Sequence, residues 1–249
     1  MANRVRLDVL LVEQGHFSSR EKARRAVMAG LVEVEGRRVD KPGSQVGLEA
    51  RVTVRGAAEP FVSRAGRKLA AALDAFGVDV GDRVVLDVGA STGGFTDCML
   101  QRGARRVYAV DVGYGQLDQG LREDPRVVVM ERVNARHLPP DALPEPVDLV
   151  TVDVSFISLL KVIPALLPHL REEGLLLTLV KPQFEAGRAE VGAGGVVRDP
   201  GLRRAVIDRV LAGLGELGLE CLGCIDSPIA GTSGNVEALA LLRPREGSP

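Results

Sequence analysis

From residue 62 onward the chain alternates short apolar runs with longer segments of helical period, and that alternation limits the architectures open to it. Strand-length runs fall at 83–88, 106–111, 127–130, 147–153 and 175–180. Helix-length segments fall at 66–76, 94–102, 158–170 and 200–217. Strands joined by helical crossovers run parallel, so the pattern predicts a parallel sheet with helices on both faces. The last two runs, 219–227 and 236–243, have no helix-length segment between them and suit an antiparallel pair at one edge. The expected fold is α/β: a Rossmann-like sheet with an antiparallel last strand, preceded by a small α/β module.

That module is assigned to residues 1–59 and the larger domain to 60–249. In the module, Leu7, Leu10 and Leu11 share one helical face. Ser18 and Glu21 fit a capping box, predicting a second helix with an apolar face of Ala23, Val27 and Met28 and an end at Gly30. The run 31–36 alternates and turns, 46–54 reads as further strand, and 56–60 as linker. The whole chain carries a formal charge of −1, but residues 1–59 hold 11 Lys/Arg against 8 Asp/Glu, leaving −4 on the remainder. Arg20, Lys22, Arg24 and Arg25 make the densest basic cluster, with Arg4 and Arg6 upstream. A solvated helix surface explains such a face as well as a phosphate-binding one does.

The apolar fraction is 45% with only 3% aromatics and no Trp, so the core has to be built from Leu, Val and Ala. No signal peptide opens the chain and no apolar run approaches membrane-spanning length, which points to a cytoplasmic protein without a membrane partner. Cys221 and Cys224 form a lone C-x-x-C inside a predicted strand. Residues three apart on a regular strand point to opposite faces, so neither a shared metal nor a redox pair is expected there.

The first strand of the larger domain runs into Asp87, Gly89, Ala90, Ser91, Thr92, Gly93, Gly94 and Phe95. Glycines here let the backbone bend sharply and approach a ligand at the carboxyl end of the strand. The spacing is G-x-x-x-G-G, not the dinucleotide G-x-G-x-x-G, which disfavours a nicotinamide-dependent oxidoreductase. An acid at Asp87 would repel a pyrophosphate and attract an amino group, although a turn or cap acid is an equal reading. Asp111, with Val112 beside it, ends the second strand where a carboxylate can bond both hydroxyls of a ribose. Asn134 and Ala135, after the third strand, could meet an adenine edge. An adenosine with a cationic amino-acid end and no phosphates fits this set, and S-adenosylmethionine is such a ligand.

The stretch LLLTLVKPQFE (175–185) runs toward a core and ends in Lys181. A buried ammonium is costly unless compensated. Either the strand surfaces there, or other charges meet the lysine. Asp153 ends the neighbouring parallel strand, Glu237 begins the last strand at the same rim, and Lys68 lies early in the helix before the first strand. Two lysines and two carboxylates at one rim suit methyl transfer to a hydroxyl that must lose its proton. In that scheme Lys181 accepts the proton, Asp153 orients it, and Lys68 and Glu237 hold the ribose.

These strings resemble the TlyA family of ribosomal RNA 2′-O-methyltransferases, and the larger domain is also similar to the wider FtsJ-type class. The likeness runs through SRAGRKL (63–69), DVGASTGGFT (87–96), DVGYGQ (111–116), DVSFIS (153–158), VKPQFE (180–185) and GNVE (234–237). The first module resembles an S4 RNA-binding domain through Arg6-Leu-Asp, Ser19-Arg20, Ala23, Gly30 and Val32-x-Val34-x-Gly36. The resemblance implies a methyltransferase sheet, S-adenosylmethionine as donor and cytidine ribose in rRNA as acceptor, on naked RNA or a ribosomal subunit. It also implies a Lys-Asp-Lys-Glu tetrad at Lys68, Asp153, Lys181 and Glu237. Some members modify large-subunit RNA alone and others both subunits; the short stretch after the last strand fits the narrower type. Ala65 stands where relatives commonly carry glycine. Members are also labelled hemolysins, which keeps a membrane-active protein as a rival without a transmembrane pattern in the sequence to support it.

Overall fold

Two compact units, Met1–Pro60 and Phe61–Pro249, divide the chain in a computed structural model. The structure describes residues 4–17, 19–55, 60–187, 190–192, 194–231 and 234–245. Most of the predicted linker, 56–59, and the predicted cap Ser18 lie outside them.

The first unit runs β1 (Arg4–Arg6), α1 (Leu7–Glu13), α2 (Arg20–Met28), β2 (Val32–Val34), β3 (Arg37–Arg38), β4 (Gln45–Gly47) and β5 (Val52–Val54). β1 pairs with β4, and β2 lies between β3 and β5, all antiparallel. Leu7, Leu11, Ala23, Val27 and Val32 close its core. Three readings change. The residue that caps α2 is Ser19, whose hydroxyl accepts from the Lys22 amide at 3.3 Å. Met28 is exposed, and Ala26 takes its place in the core, because Ala23, Ala26 and Val27 share the i, i+3, i+4 face and the next residue turns away from it. The predicted strand 46–54 is two strands, broken by a turn after Gly47.

The second unit begins with α3 (Ala65–Phe76), β6 (Val84–Val88), α4 (Gly94–Gln101), β7 (Arg106–Asp111), α5 (Gln119–Arg122), β8 (Val127–Glu131) and β9 (Val147–Val152). It continues with α6 (Leu159–Val162), β10 (Leu170–Val180), α7 (Pro182–Glu185), α8 (Pro200–Glu216), β11 (Leu219–Asp226) and β12 (Ala238–Pro244). Seven strands form one sheet in the order β11-β12-β10-β9-β6-β7-β8. The five from β10 to β8 are parallel neighbours, and β12 is antiparallel to both β10 and β11. The expected α/β sheet with an antiparallel last strand is therefore present. Alternate residues feed opposite faces. Leu86, Val110, Val150 and Leu176 pack under α6 and α8, whereas Val85, Val107, Leu149 and Leu177 pack under α3 and α4.

The segment predicted as one helix over 158–170 is a single α-turn followed by two 3₁₀ turns, Ile163–Ala165 and Leu167–His169. Pro164 and Pro168 account for this, since each removes an amide and clashes with the preceding turn. β10 starts earlier than expected, at Leu170, with an irregular register between Leu170 and Leu175. Among the described residues, no helix is long and apolar enough to cross a membrane.

Candidate active site

The carboxyl ends of the parallel strands form one rim, and the register delivers the predicted charges to it. β9 ends at Val152, so Asp153 emerges next; β10 ends at Val180, so Lys181 emerges beside it. Val180 pairs with Ala238, which places Glu237 at the same rim although β12 runs the other way. Lys68 comes from the first turn of α3. Pro182 follows Lys181 as the first residue of α7, where its missing amide costs nothing.

The four charges form two ion pairs. Lys181 Nζ lies 2.6 Å from Asp153 Oδ1 and also donates to Ser155 Oγ at 2.9 Å. Lys68 Nζ donates to Glu237 Oε2 at 2.5 Å, with both side chains nearly closed off from solvent. Removing one member of a pair this buried strands a charge, at a cost of about 3–5 kcal/mol. Lys68, Asp153, Lys181 and Glu237 line one cavity of about 500 Å³. Gln183 lines it too and donates to Glu237 Oε1 at 3.5 Å.

A second cavity, about 380 Å³, opens on the β6 side of Asp153. Gly89, Ser91, Asp111, Val112, Asn134 and Ala135 line it. Gly89 has φ +85°, and a Cβ there would sit 2.5 Å from the Asp153 carbonyl oxygen, so the turn is packed against the residue that carries the ion pair. Asp111 is fixed by backbone amides, accepting from Ser91 through Oδ2 at 2.8 Å and from Gly113 through Oδ1 at 2.7 Å. Each oxygen retains acceptor capacity beyond those amides. Asn134 Oδ1 accepts from the Arg136 amide at 3.1 Å, which turns the chain at the cavity wall. Ala90, Thr92 and Phe95 line a smaller cleft next to it, again shared with Asp153.

Three predicted ligand residues line none of these cavities. Asp87 is fully buried behind the turn. Its Oδ2 accepts from Thr96 Oγ1 at 2.6 Å and its Oδ1 from Thr151 Oγ1 at 2.9 Å, tying β6 to α4 and β9. Burial pushes its carboxyl up to about 6, against the opposing pull of the two hydroxyls. Gly93 (φ +95°) and Gly94 serve packing: a Cβ on Gly94 would fall 2.2 Å from Ser63 Oγ and 2.9 Å from the Gly66 amide, so its absence lets α4 start against α3. Sequence reasoning overlooked Phe156. It lies on the rim shared by both large cavities, at φ +65° and 90% exposed, with its ring 4.8 Å from that of Phe184. An apolar residue just past a strand end carries no periodic signal, so only its place beside Asp153 marks it.

On the first unit, Asp8 is fully buried and gathers two of the predicted phosphate-binding arginines. Arg6 grips both its oxygens at 3.0 Å, and Arg20 reaches Oδ2 at 3.1 Å. These bonds, Arg6 first, hold the Asp8 carboxyl below the usual range. Arg4 and Arg24 are exposed, Lys22 is half-buried, and Arg25 stands 3.9 Å from Glu21 one turn away.

A mostly parallel sheet thus carries a glycine turn, an amide-bonded carboxylate at Asp111 and two adjoining cavities at one rim. Residues 61–243 match the FtsJ-like methyltransferase family and residues 5–52 the S4 domain. The chain belongs to the FtsJ-like methyltransferase family, with an S4 domain ahead of the methyltransferase domain. It is 48% identical over 244 residues to the 16S/23S rRNA (cytidine-2′-O)-methyltransferase TlyA of Mycobacterium tuberculosis, spanning 98% of this chain and 91% of that one. It is 40% identical over 241 residues to hemolysin A of Brachyspira hyodysenteriae, spanning 95% and 98%. A solved structure of a hemolysin-named protein from Streptococcus thermophilus is 44% identical, with a TM-score of 0.77 over 99% of this chain and 90% of that one.

Proposed function

We propose that this chain methylates the 2′-hydroxyl of a cytidine ribose in ribosomal RNA, with S-adenosylmethionine as donor. The observation that carries the reading is the pair of ion pairs in one cavity, adjoining through Asp153 a second cavity lined by Gly89, Asp111, Asn134 and Ala135. The cavity residues suit the donor: Asp111 for the ribose hydroxyls, Asn134 and Ala135 for the adenine edge, and the Gly89–Ser91 backbone for close approach. A bound donor would supply an electrophilic methyl carbon, and the Gly89–Ser91 turn with Asp111, Asn134 and Ala135 would hold it. Asp87 contributes by fixing the turn rather than by touching the ligand.

Lys181 Nζ takes the proton of the attacking 2′-hydroxyl as the new oxygen–carbon bond forms and the sulfur–carbon bond breaks. A lysine accepts a proton only as the neutral amine, so the ammonium of the Lys181–Asp153 pair first releases a proton to solvent, and Asp153 and Ser155 then aim the amine at the acceptor. A positioned base of this kind supplies roughly 10²–10⁴-fold in rate. Lys68 and Glu237, locked to each other and steadied by Gln183, orient the ribose from the other wall. The exposed Phe156 ring offers a face on which a base can stack. Arg4, Arg6, Arg20, Lys22, Arg24 and Arg25 dock the RNA backbone without reading its sequence. The acceptor is large-subunit RNA, with small-subunit RNA as the second candidate.

The decisive measurement is methyl transfer by Lys181→Ala to isolated ribosomal subunits that lack the modification. The rate is expected to fall by about 10²-fold or more with the fold intact. An unchanged kcat in a folded variant removes Lys181 from catalysis. Calorimetry tests the donor independently: S-adenosylmethionine should bind and NAD should not. Mapping 2′-O-methyl groups on both subunits then identifies the acceptor.

A further inference from the structure

The C-x-x-C of β11 does not face two ways. Cys221 pairs with Leu242, Gly223 with Leu241 and Cys224 with Ala240, so the strand bulges at Leu222. Such an extra residue shifts the alternation by one. Leu242 and Ala240 both belong to the face of the sheet beneath α8, and paired residues share a face. Gly223 turns the other way, since a Cβ there would lie 2.7 Å from the Phe76 ring. Both thiols therefore stand on one side of an edge strand, opposite residues two apart on β12. Two residues of strand span roughly 6.6 Å, at the upper end of the Cα separation that a disulfide bridges.

The two thiols stand in different surroundings. Cys221 is exposed, and its thiol donates to the Gly223 carbonyl at 3.5 Å. Cys224 is half-buried; burial first, and then the neighbouring Cys221, push its thiol up to about 11. The third cysteine, Cys98, is sealed in the α3–α4 core.

We propose that Cys221 and Cys224 form a redox-active dithiol that closes reversibly to an intrachain disulfide. The exposed Cys221 thiolate attacks one sulfur of a small disulfide such as oxidised glutathione, whose S–S bond breaks and releases one thiol. Cys224 gives its proton to solvent and attacks Cys221 Sγ in the mixed disulfide, releasing the second thiol. The chain loses two protons and two electrons, and the small disulfide is reduced to two thiols. A disulfide at an exposed sheet edge is open to attack by small thiols, which makes the closure reversible.

The test is to equilibrate the full-length protein in graded ratios of oxidised to reduced glutathione, quench by alkylation and weigh it intact. The expected product has lost the mass of two hydrogens, keeps one alkylatable thiol after unfolding, namely Cys98, and returns to three with dithiothreitol. Cys221→Ser and Cys224→Ser should each abolish that product, and Cys224→Ser should stop at a glutathione adduct on Cys221. Three free thiols at every ratio, a glutathione adduct on the wild-type protein that never resolves, or a disulfide between two chains overturns the proposal. The wild-type measurement stands whether or not either variant folds.

Discussion

At the scale of single residues, Asp87 is tied into the fold rather than into a cavity wall. Its place two residues before Gly89 suggests an acid waiting for an amino group. The structure instead commits both its oxygens to Thr96 and Thr151 and removes it from the cavity walls. The burial that does this has a consequence for stability. The carboxyl stands at about 6 against an ordinary 3.8. Between those pH values the folded chain holds a proton that the unfolded chain releases, so this group's contribution falls as pH rises from about 4 to 6 and then levels off. A shift of roughly two units corresponds to about 3 kcal/mol. Asp87→Asn should remove that component from the pH dependence of denaturant midpoints, and a slope identical to wild type would show that Asp87 does not titrate there.

At the scale of elements, the parallel core was legible because strands buried on both faces read as near-continuous apolar runs. That much sufficed to bring Asp153 and Lys181 to neighbouring strand ends. What the sequence hid depends on partners or on backbone detail. The bulge at Leu222 exists only relative to β12, so a two-residue period counted along β11 alone put Cys221 and Cys224 on opposite faces. The loss of a helix over 158–170 was readable in Pro164 and Pro168 but was outweighed by the apolar spacing around them. The turn from β6 to α4 is the element on which the proposed donor cavity rests, and Gly89→Ala tests it. The substitution costs about 1–3 kcal/mol for the left-handed backbone alone, plus a clash with the Asp153 carbonyl. The expected outcome is a less stable protein that loses S-adenosylmethionine binding in calorimetry before it loses its fold. Wild-type affinity would mean that the turn tolerates a side chain and that close backbone approach is not what the cavity requires.

At the scale of the whole molecule, the net charge of −1 gives no overall attraction to RNA, and the proposed docking draws on the local excess of +3 on residues 1–59. Each phosphate neutralised by a cation contributes about 0.7–0.9 to the slope of log affinity against log salt. Replacing Arg20 and Arg24 together by Ala should therefore weaken rRNA binding and flatten that slope by up to about 2. An unchanged slope would remove both from the interface. Asp8→Asn separates charge from geometry. The substitution makes the first unit more positive, so if charge alone governed binding, affinity would rise. If Arg6 and Arg20 work because the buried carboxylate holds their guanidinium groups in place, affinity falls despite the added charge. Loss of affinity at a temperature where Asp8→Asn remains folded by circular dichroism is the expected result, because two long side chains freed from a common anchor must be ordered again at each binding event.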